Sequence, residues 1–361
     1  MERTTGQVPT YIVIMAGGAG TRFWPMSRKH RPKQLLTLFS DRPMVAETVA
    51  RFAGLVPMER VLIVTSEALR KAVMDAVPEL PKENVVAEPE ARNTAACIAL
   101  AAAEIEVRTG GRDAVMAVFP ADHYIRDEAN FRQTAMRAAR LAERGGIVTL
   151  GIEPTKPETG YGYMKRGGLD DMGAAQVERF VEKPDRDTAL KYLAGGDYLW
   201  NAGIFAFRLD VILGEFERQM PALYGLYPEL MKTVADQNRL AMAKVYARIP
   251  AVSIDYGVME GARDVRVIPA TFGWSDVGAW DALSDVNETD ERGNVMIGDV
   301  VAIDCANSVF VGHDRRVLAA VGLDRIVVVD SEDALLVAPR DRVQEVRAIV
   351  ESLRSRDGNL T

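Results

Sequence analysis

Residues 16–28 of this 361-residue chain read Ala16-Gly17-Gly18-Ala19-Gly20-Thr21-Arg22-Phe23-Trp24-Pro25-Met26-Ser27-Arg28. The three glycines let backbone N–H groups close on an anion without side chains in the way, which suits a phosphate. A tight turn after any strand can be equally rich in glycine, and the glycines alone do not separate the two readings. Two familiar phosphate loops are excluded. The pattern Gly-x-x-x-x-Gly-Lys-Ser/Thr does not occur, and Phe23 stands where the third glycine of a dinucleotide fingerprint belongs. The phosphate reading gains from the sequel, Arg28-Lys29-His30-Arg31-Pro32-Lys33-Gln34. A triphosphate is strongly anionic and its departing pyrophosphate gathers charge, so cations are needed beside the loop. Arg22 and Lys33 are the best candidates for that task.

Other positions offer chemistry with less force. Asp122 follows a strongly apolar run, so its carboxylate projects from a strand end, where Mg²⁺ held by one or two carboxylates would bridge phosphates; an exposed turn aspartate is the plain alternative. Lys183, preceded by Glu182 at the end of a strand, can pair with a phosphate, although a Glu-Lys pair is usually a surface pair. Asn201 carries an amide that can donate to and accept from a hydroxyl, and Gly162 leaves room for a sugar ring. The stretch from Glu88 to Thr94 precedes an alanine-rich helix for which Asn93 is a natural N-cap. The three histidines, His30, His123 and His313, are too scattered for a metal site.

The elements that must position these groups follow from periodicity. Short apolar runs at 11–16, 61–65, 84–87, 114–119 and 147–151 alternate with helical patterns at 44–52, 67–76, 94–108 and 128–143, the signature of βαβ units and a parallel sheet. A mixed region follows, with strands at 177–182 and 204–208. Beyond residue 287, β runs at 300–302, 308–311, 317–321, 326–330 and 334–337 recur about every ten residues, suggesting a small β-solenoid or sandwich closed by an amphipathic helix at 341–353. The expected architecture is α/β: a Rossmann-like core with a mostly parallel mixed sheet over residues 1–285, and a small β-rich, short β-helix-like domain over 286–361. A net charge of −7 argues against a nucleic-acid or acidic-membrane binder. The N-terminal heptad Met1–Gln7 lacks a basic region followed by an apolar core, no apolar run approaches a membrane span, and Cys97 and Cys305 suit reduced buried thiols; the expected compartment is the cytoplasm.

The loop with Pro32-Lys33-Gln34 resembles the signature of sugar-nucleotide pyrophosphorylases, most closely the mannose-1-phosphate guanylyltransferases among them. Later motifs follow in that family's order: Glu88-Pro89-x-x-Arg92-Asn93-Thr94-Ala95, Phe119-Pro120-Ala121-Asp122-His123, Gly160-Tyr161-Gly162-Tyr163, Val181-Glu182-Lys183-Pro184, Trp200-Asn201-Ala202-Gly203 and Gly273-Trp274-Ser275-Asp276-Val277-Gly278. The resemblance spans roughly the first 285 residues. It implies a nucleotidyltransferase fold and the reaction of GTP with mannose 1-phosphate to GDP-mannose and pyrophosphate. It assigns nucleotide binding to Ala16, Gly17, Gly18, Gly20, Thr21, Arg22, Lys33, Glu88, Asn93, Thr94 and Asp122, with Glu88 meeting the guanine edge. His123, Gly162, Glu182, Lys183 and Asn201 would take the sugar phosphate, Asp122 and Asp276 would hold Mg²⁺, and Arg22, Lys33 and Lys183 would be catalytic. β-Rich tails in related enzymes often take part in dimer contacts, so the resemblance leaves a homodimer open without fixing the oligomeric state. UTP or dTTP with glucose 1-phosphate stays open as a substrate pair, as does a silent sugar-nucleotide-sensing subunit, against which the intact Arg22, Lys33, Asp122 and Asp276 argue. Only His313 lies beyond Asp276, so no histidine-rich isomerase domain is expected.

Overall fold

The structure, a computed structural model, describes residues 8–18, 20–313, 316–356 and 360. The N-terminal heptad and Ala19 of the glycine loop lie outside the described residues. Two compact units are interleaved along the sequence, the first comprising Met1–Gly17, Val49–Ala121 and Asp127–Trp274, the second Gly18–Thr48, Asp122–Arg126 and Ser275–Thr361.

The first unit is built on a nine-stranded mixed sheet. Its strands are β1 (Thr10–Met15), β2 (Val61–Ser66), β3 (Val85–Glu88), β4 (Val115–Pro120), β5 (Ile147–Ile152), β6 (Gly162–Leu169), β7 (Ala175–Glu182), β8 (Tyr198–Arg208) and β9 (Val265–Ala270). The order is β3-β2-β1-β4-β8-β5-β9-β7-β6. The run β3-β2-β1-β4 is parallel, with Ile12 beside Val61 on one side and Ala117 on the other. Burial on both faces explains why β1, β2 and β4 read as unbroken apolar runs. On one face lies the alanine-rich helix Asn93–Thr109, buried nearly all round from Ala95 to Ile105. Aromatic packing of Phe52, Phe119, Phe131 and Phe272, with ring centroids 4.6–5.9 Å apart, forms a second cluster. Strand order reverses between β1 and β4, the place where open α/β sheets bind ligands beyond the carboxyl ends of their strands.

Two strands, β6 and β9, have no counterpart in the sequence expectation, and a third is longer than expected. β6 is irregular in its pairing and contains Gly167 and Gly168, which hide its apolar pattern. β9 contains Pro269, tolerated because the ladder to β7 pairs only Arg266 and Val267. β8 is longer than the run at 204–208, since an irregularity in its pairing with β5 divides it: Thr149 pairs with Phe205 but Gly151 with Asn201. That bulge, with Gly203 at φ +66°, re-aims Asn201.

In the second unit the C-terminal segment winds as a short parallel β-helix. Strands β10 (Val295–Ile297), β12 (Val309–Val311) and β14 (Ile326–Asp330) stack in register, as do β11 (Val300–Ile303) and β13 (Leu318–Val321). β15 (Leu335–Pro339) returns antiparallel along β14. Phe310, Ala320, Val328 and Cys305 form a small core of the coil, while Val309, Val311, Val327 and Val329 join Phe23, Trp24, Leu36 and Trp280 in a larger one. The closing segment is a tight 3₁₀ turn, Arg340–Glu345, followed by the helix Val346–Arg354, which buries Val346 and Val350 one turn apart. Cys97 and Cys305 are buried free thiols.

Candidate active site

The glycine loop is seated by contacts inside the second unit. Gly18 and Gly20 adopt φ of +96° and +56°. A Cβ on Gly20 would stand 2.5 Å from the Lys33 backbone nitrogen and 2.7 Å from its Cβ, so only glycine lets the loop approach Lys33 this closely. Gln34 Nε2 donates to the Gly18 carbonyl at 3.4 Å. Thr21–Phe23 then make one 3₁₀ turn. Trp24 anchors the end of that turn: its carbonyl accepts from the Trp280 indole at 2.9 Å and its own indole donates to the Leu360 carbonyl at 2.8 Å.

The basic block divides. Lys29, His30 and Arg31 are exposed, whereas Arg28 and Lys33 are buried. Arg28 serves the scaffold, lying 6.0 Å over the Trp24 ring, donating to the Pro25 carbonyl and pairing with Asp333 at 2.5 Å. Lys33 serves the site. Its ammonium donates to Asp122 Oδ2 at 2.9 Å and to the Asp276 carbonyl at 2.5 Å, with the Phe23 ring 5.6 Å away. Burial pushes the Asp122 carboxyl up, but the Lys33 ammonium, the neighbouring His123 and hydrogen bonds from Lys33 and its own backbone outweigh it, holding the group below the usual carboxylate range. A Cβ on Gly278 would lie 3.5 Å from the Asp276 carboxylate and 3.9 Å from the Arg22 guanidinium, so these two groups also converge. Arg22, Lys33, Asp122 and Asp276 thus come together. Among the described residues no group of three or more His, Cys, Asp or Glu is placed to hold a metal ion by itself. A pair of carboxylates is the donor set that Mg²⁺ accepts when substrate phosphates and water complete its octahedron.

The first unit carries two further groups of predicted residues. At the carboxyl ends of β1 and β3, Ala16 N–H bonds the Val64 carbonyl and its own carbonyl accepts from the Thr65 hydroxyl. Gly17 is exposed, and a Cβ there would lie 3.9 Å from Glu88 Oε2. Glu88 is 7% exposed. Burial raises its carboxyl to about 7, although a hydrogen bond from Tyr246 pulls it back. Asn93 departs from the N-cap expectation: it takes φ +65°, and its side-chain oxygen accepts from the very next amide, Thr94 N–H, instead of one two or three residues on. The helix start is held from elsewhere, by Ala95 N–H on the Val252 carbonyl and by Ile254 N–H on the Thr94 hydroxyl.

The second group gathers Gly162, Glu182, Lys183 and Asn201. A Cβ on Gly162 would stand 2.6 Å from Glu182 Oε2, so this glycine makes room for a buried carboxylate. Lys183, at φ +49°, pairs with Glu182 at 2.8 Å and remains half exposed. Burial would lower the Lys183 ammonium, but Glu182, Tyr256 and Asp255 raise it above its ordinary value. Asn201 Oδ1 accepts from Gly203 N–H and Nδ2 donates to Asp255 at 2.9 Å, while the Thr149 hydroxyl, with one proton to give, lies 2.9 Å from the Ile204 carbonyl and 3.3 Å from Asn201 Oδ1. What this amide offers a sugar hydroxyl is its second N–H and the remaining acceptor site of its oxygen. Sequence reasoning missed Asp255, whose carboxyl is raised to about 6 by burial and by Glu182. It missed Tyr246 as well. Tyr161 packs edge-on against Trp200 and Trp274, at 5.2 and 5.3 Å, walling this group.

The model of the family described as "Nucleotidyl transferase" matches residues 11–293. The chain belongs to the nucleotidyl transferase family. The model described as "MannoseP isomerase/GMP-like beta-helix domain" matches residues 298–353 of this nucleotidyl transferase, the parallel coil of the second unit. It is 40% identical over 357 residues to the mannose-1-phosphate guanylyltransferase of Escherichia coli K12, covering 97% of this chain and 74% of that one. It is 44% identical over 348 residues to the xanthan biosynthesis protein XanB of Xanthomonas campestris pv. campestris strain B100, covering 95% and 73%. A solved structure from Thermus thermophilus, described as mannose-1-phosphate geranyltransferase, superposes with a TM-score of 0.87 at 38% identity, covering 96% of this chain and 99% of that one. The fold is therefore that of a nucleotidyltransferase with a mixed sheet and a C-terminal β-helix-like domain.

Proposed function

We propose that this nucleotidyl transferase is a mannose-1-phosphate guanylyltransferase, which converts GTP and α-D-mannose 1-phosphate into GDP-mannose and pyrophosphate. The observation that carries the reading is the buried Lys33 held between Asp122 and the Asp276 carbonyl beside the glycine loop. Relatives about 40% identical over nearly the whole chain bear that name.

A phosphate oxygen of the sugar phosphate is already a nucleophile at neutral pH and attacks the α-phosphorus in line. The new P–O bond forms as the bond to the β-phosphate breaks, and no enzyme-bound intermediate is needed. The glycine loop offers backbone N–H groups to the triphosphate, while Arg22 and Lys33 neutralise the charge that gathers on the departing pyrophosphate. Lys183 binds the phosphate of the sugar substrate; Glu182 accepts from sugar hydroxyls and Asn201 donates to one. The lowered Asp122 carboxyl keeps its charge at neutral pH. Asp122 and Asp276 would hold Mg²⁺, which supplies Lewis-acid polarisation of the phosphates when bound. Free buried thiols suit a reducing compartment, and we assign the enzyme to the cytoplasm. Among the described residues no helix is long and apolar enough to cross a membrane. A homodimer through the β-helix belongs to the same reading, supported by Val301, Ile303 and Val321 exposed on its surface.

The test is pyrophosphate release from four nucleoside triphosphates against mannose and glucose 1-phosphates, with Mg²⁺ present or chelated. GTP with mannose 1-phosphate and Mg²⁺ is expected to be best; any other best pair removes the guanylyl assignment. Asp122→Asn should lower the rate by about 10²–10³ in a folded protein, and near-normal turnover would sink the metal assignment.

A further inference from the structure

Glu88 commits one of its two oxygens inside the protein. Oε1 accepts from the Tyr246 hydroxyl at 2.5 Å, and Oε2 is the oxygen nearest Gly17 at the end of β1. Tyr246 is fully buried at the end of the helix Arg239–Tyr246, with Met242 and Val245 buried on the same element, so the hydroxyl has no room to swing away. We propose that Tyr246 is the specificity-determining positioning residue of the nucleobase site, turning Glu88 so that Oε2 meets the N1–H and N2–H₂ edge of guanine. This rests on the GTP reading.

The chemistry is one of donors and acceptors. An ionised carboxylate only accepts hydrogen bonds. Guanine presents two donors on that edge, whereas adenine presents an acceptor at N1 and a donor at N6. A carboxyl that keeps its proton is complementary to adenine instead. The groups around Glu88 decide which form exists: burial favours the proton, and the Tyr246 hydroxyl opposes it. The buried Cys97 thiol on the helix Asn93–Thr109 stands close enough to feel the Glu88 charge, and Arg92 acts on Tyr246. Removing the hydroxyl therefore costs Glu88 both its orientation and part of its charge.

The experiment compares kcat/KM for GTP, ITP and ATP from pH 6 to pH 9 in the wild type and Tyr246→Phe. ITP lacks only the N2 amino group. The variant should lose at least about tenfold of the GTP-over-ATP preference, more through KM for GTP than through kcat. The GTP-over-ITP advantage should shrink in step, and the acidic limb of kcat/KM for GTP should move to higher pH. In a Glu88→Gln background the same substitution should change neither ratio further, because Tyr246 acts through the carboxylate. Tyr227→Phe is the comparator: it removes another buried hydroxyl, bonded to Glu106 at 2.9 Å, and should leave both ratios unmoved. Unchanged ratios and limb in Tyr246→Phe overturn the proposal, as does a uniform fall in kcat for all three nucleotides. If Tyr246→Phe does not fold, Glu88→Gln decides through the nucleotide ratios, since GTP-over-ATP and GTP-over-ITP preferences left unchanged in it would be incompatible with the assignment. A wild type that does not prefer GTP fails at the first comparison and refutes the guanylyl reading itself.

Discussion

Replacing Gly20 by alanine tests how the loop and the ammonium are held together. Two costs can be read from the structure. Gly20 sits at φ +56° and ψ +27°, a left-handed conformation that costs a side-chain-bearing residue about 1–2 kcal/mol. The new Cβ would also meet the Lys33 backbone nitrogen at 2.5 Å, and relieving such overpacking costs about 1–3 kcal/mol more. Gly18 supplies the control, because it too has a positive φ, +96°, yet a Cβ there meets nothing within 4 Å. Gly18→Ala should lose only the backbone part, and Gly20→Ala about 2–5 kcal/mol in all, measured by urea unfolding. Since the collision is with Lys33 itself, the ammonium should also move relative to Asp122 and the Asp276 carbonyl. A displacement near 1 Å is worth about 10² in rate, to be read as kcat for pyrophosphate release. If Gly20→Ala proved as stable as Gly18→Ala and kept kcat within about twofold of it, the claim that this glycine exists to seat Lys33 would be refuted.

Two further substitutions probe the first unit. Gly162→Ala should push the Glu182 carboxylate away from the 2.6 Å approach and raise KM for the sugar phosphate about tenfold or more while KM for the nucleotide stays put; equal changes in both would argue that the glycine serves the fold. Asp255 has its folded carboxyl raised to about 6, so its favourable contribution is complete below its unfolded value and is lost as pH rises through about 6. Asp255→Asn keeps the acceptor for Asn201 without that loss, and its stability relative to the wild type should improve by on the order of 2 kcal/mol between pH 4 and pH 7 in urea unfolding; a pH-independent difference would contradict it.

The parallel strands β1 to β4 were legible because a strand covered on both faces must be apolar throughout, and Val61–Ser66 or Val115–Pro120 has few other ways to be buried. β6 and β9 were not, since Gly167, Gly168 and Pro269 are ordinarily signs of a loop and are accommodated here only by irregular pairing and by a ladder that stops short. The β-helix was legible as a series of short runs, but their grouping was not: strand pairs 14 and 18 residues apart, Val295 with Val309 and Val309 with Val327, stack in register while the runs between them form a second sheet. No periodicity in residue type distinguishes those two alternating sheets.

For the site, the same physical limit takes a sharper form. Lys33 and Asp122 announce themselves by charge placed next to a glycine loop or an apolar strand. Tyr246 and Asp255 do not, because a tyrosine at the end of an amphipathic helix and an aspartate in a first helical turn are unremarked in any sequence; only the chain's return to Glu88 and Asn201 gives them a partner. Backbone conformation is equally silent. Asn93, Lys183 and Val277, each beside or within a predicted motif, take φ of +65°, +49° and +45°. Val277 is the costliest of the three, a β-branched residue, fully buried, in a conformation worth about 1–3 kcal/mol of strain. Its N–H is held by the Ser275 hydroxyl at 3.1 Å, and the residue between them is Asp276, whose carbonyl meets Lys33. Such strain persists only where the surroundings over-determine it, and here they do so around the residue that ties the Gly273–Gly278 motif to the ammonium. The strained turn at Val277 is thus itself an argument for a functional site at Asp276, one that does not depend on resemblance.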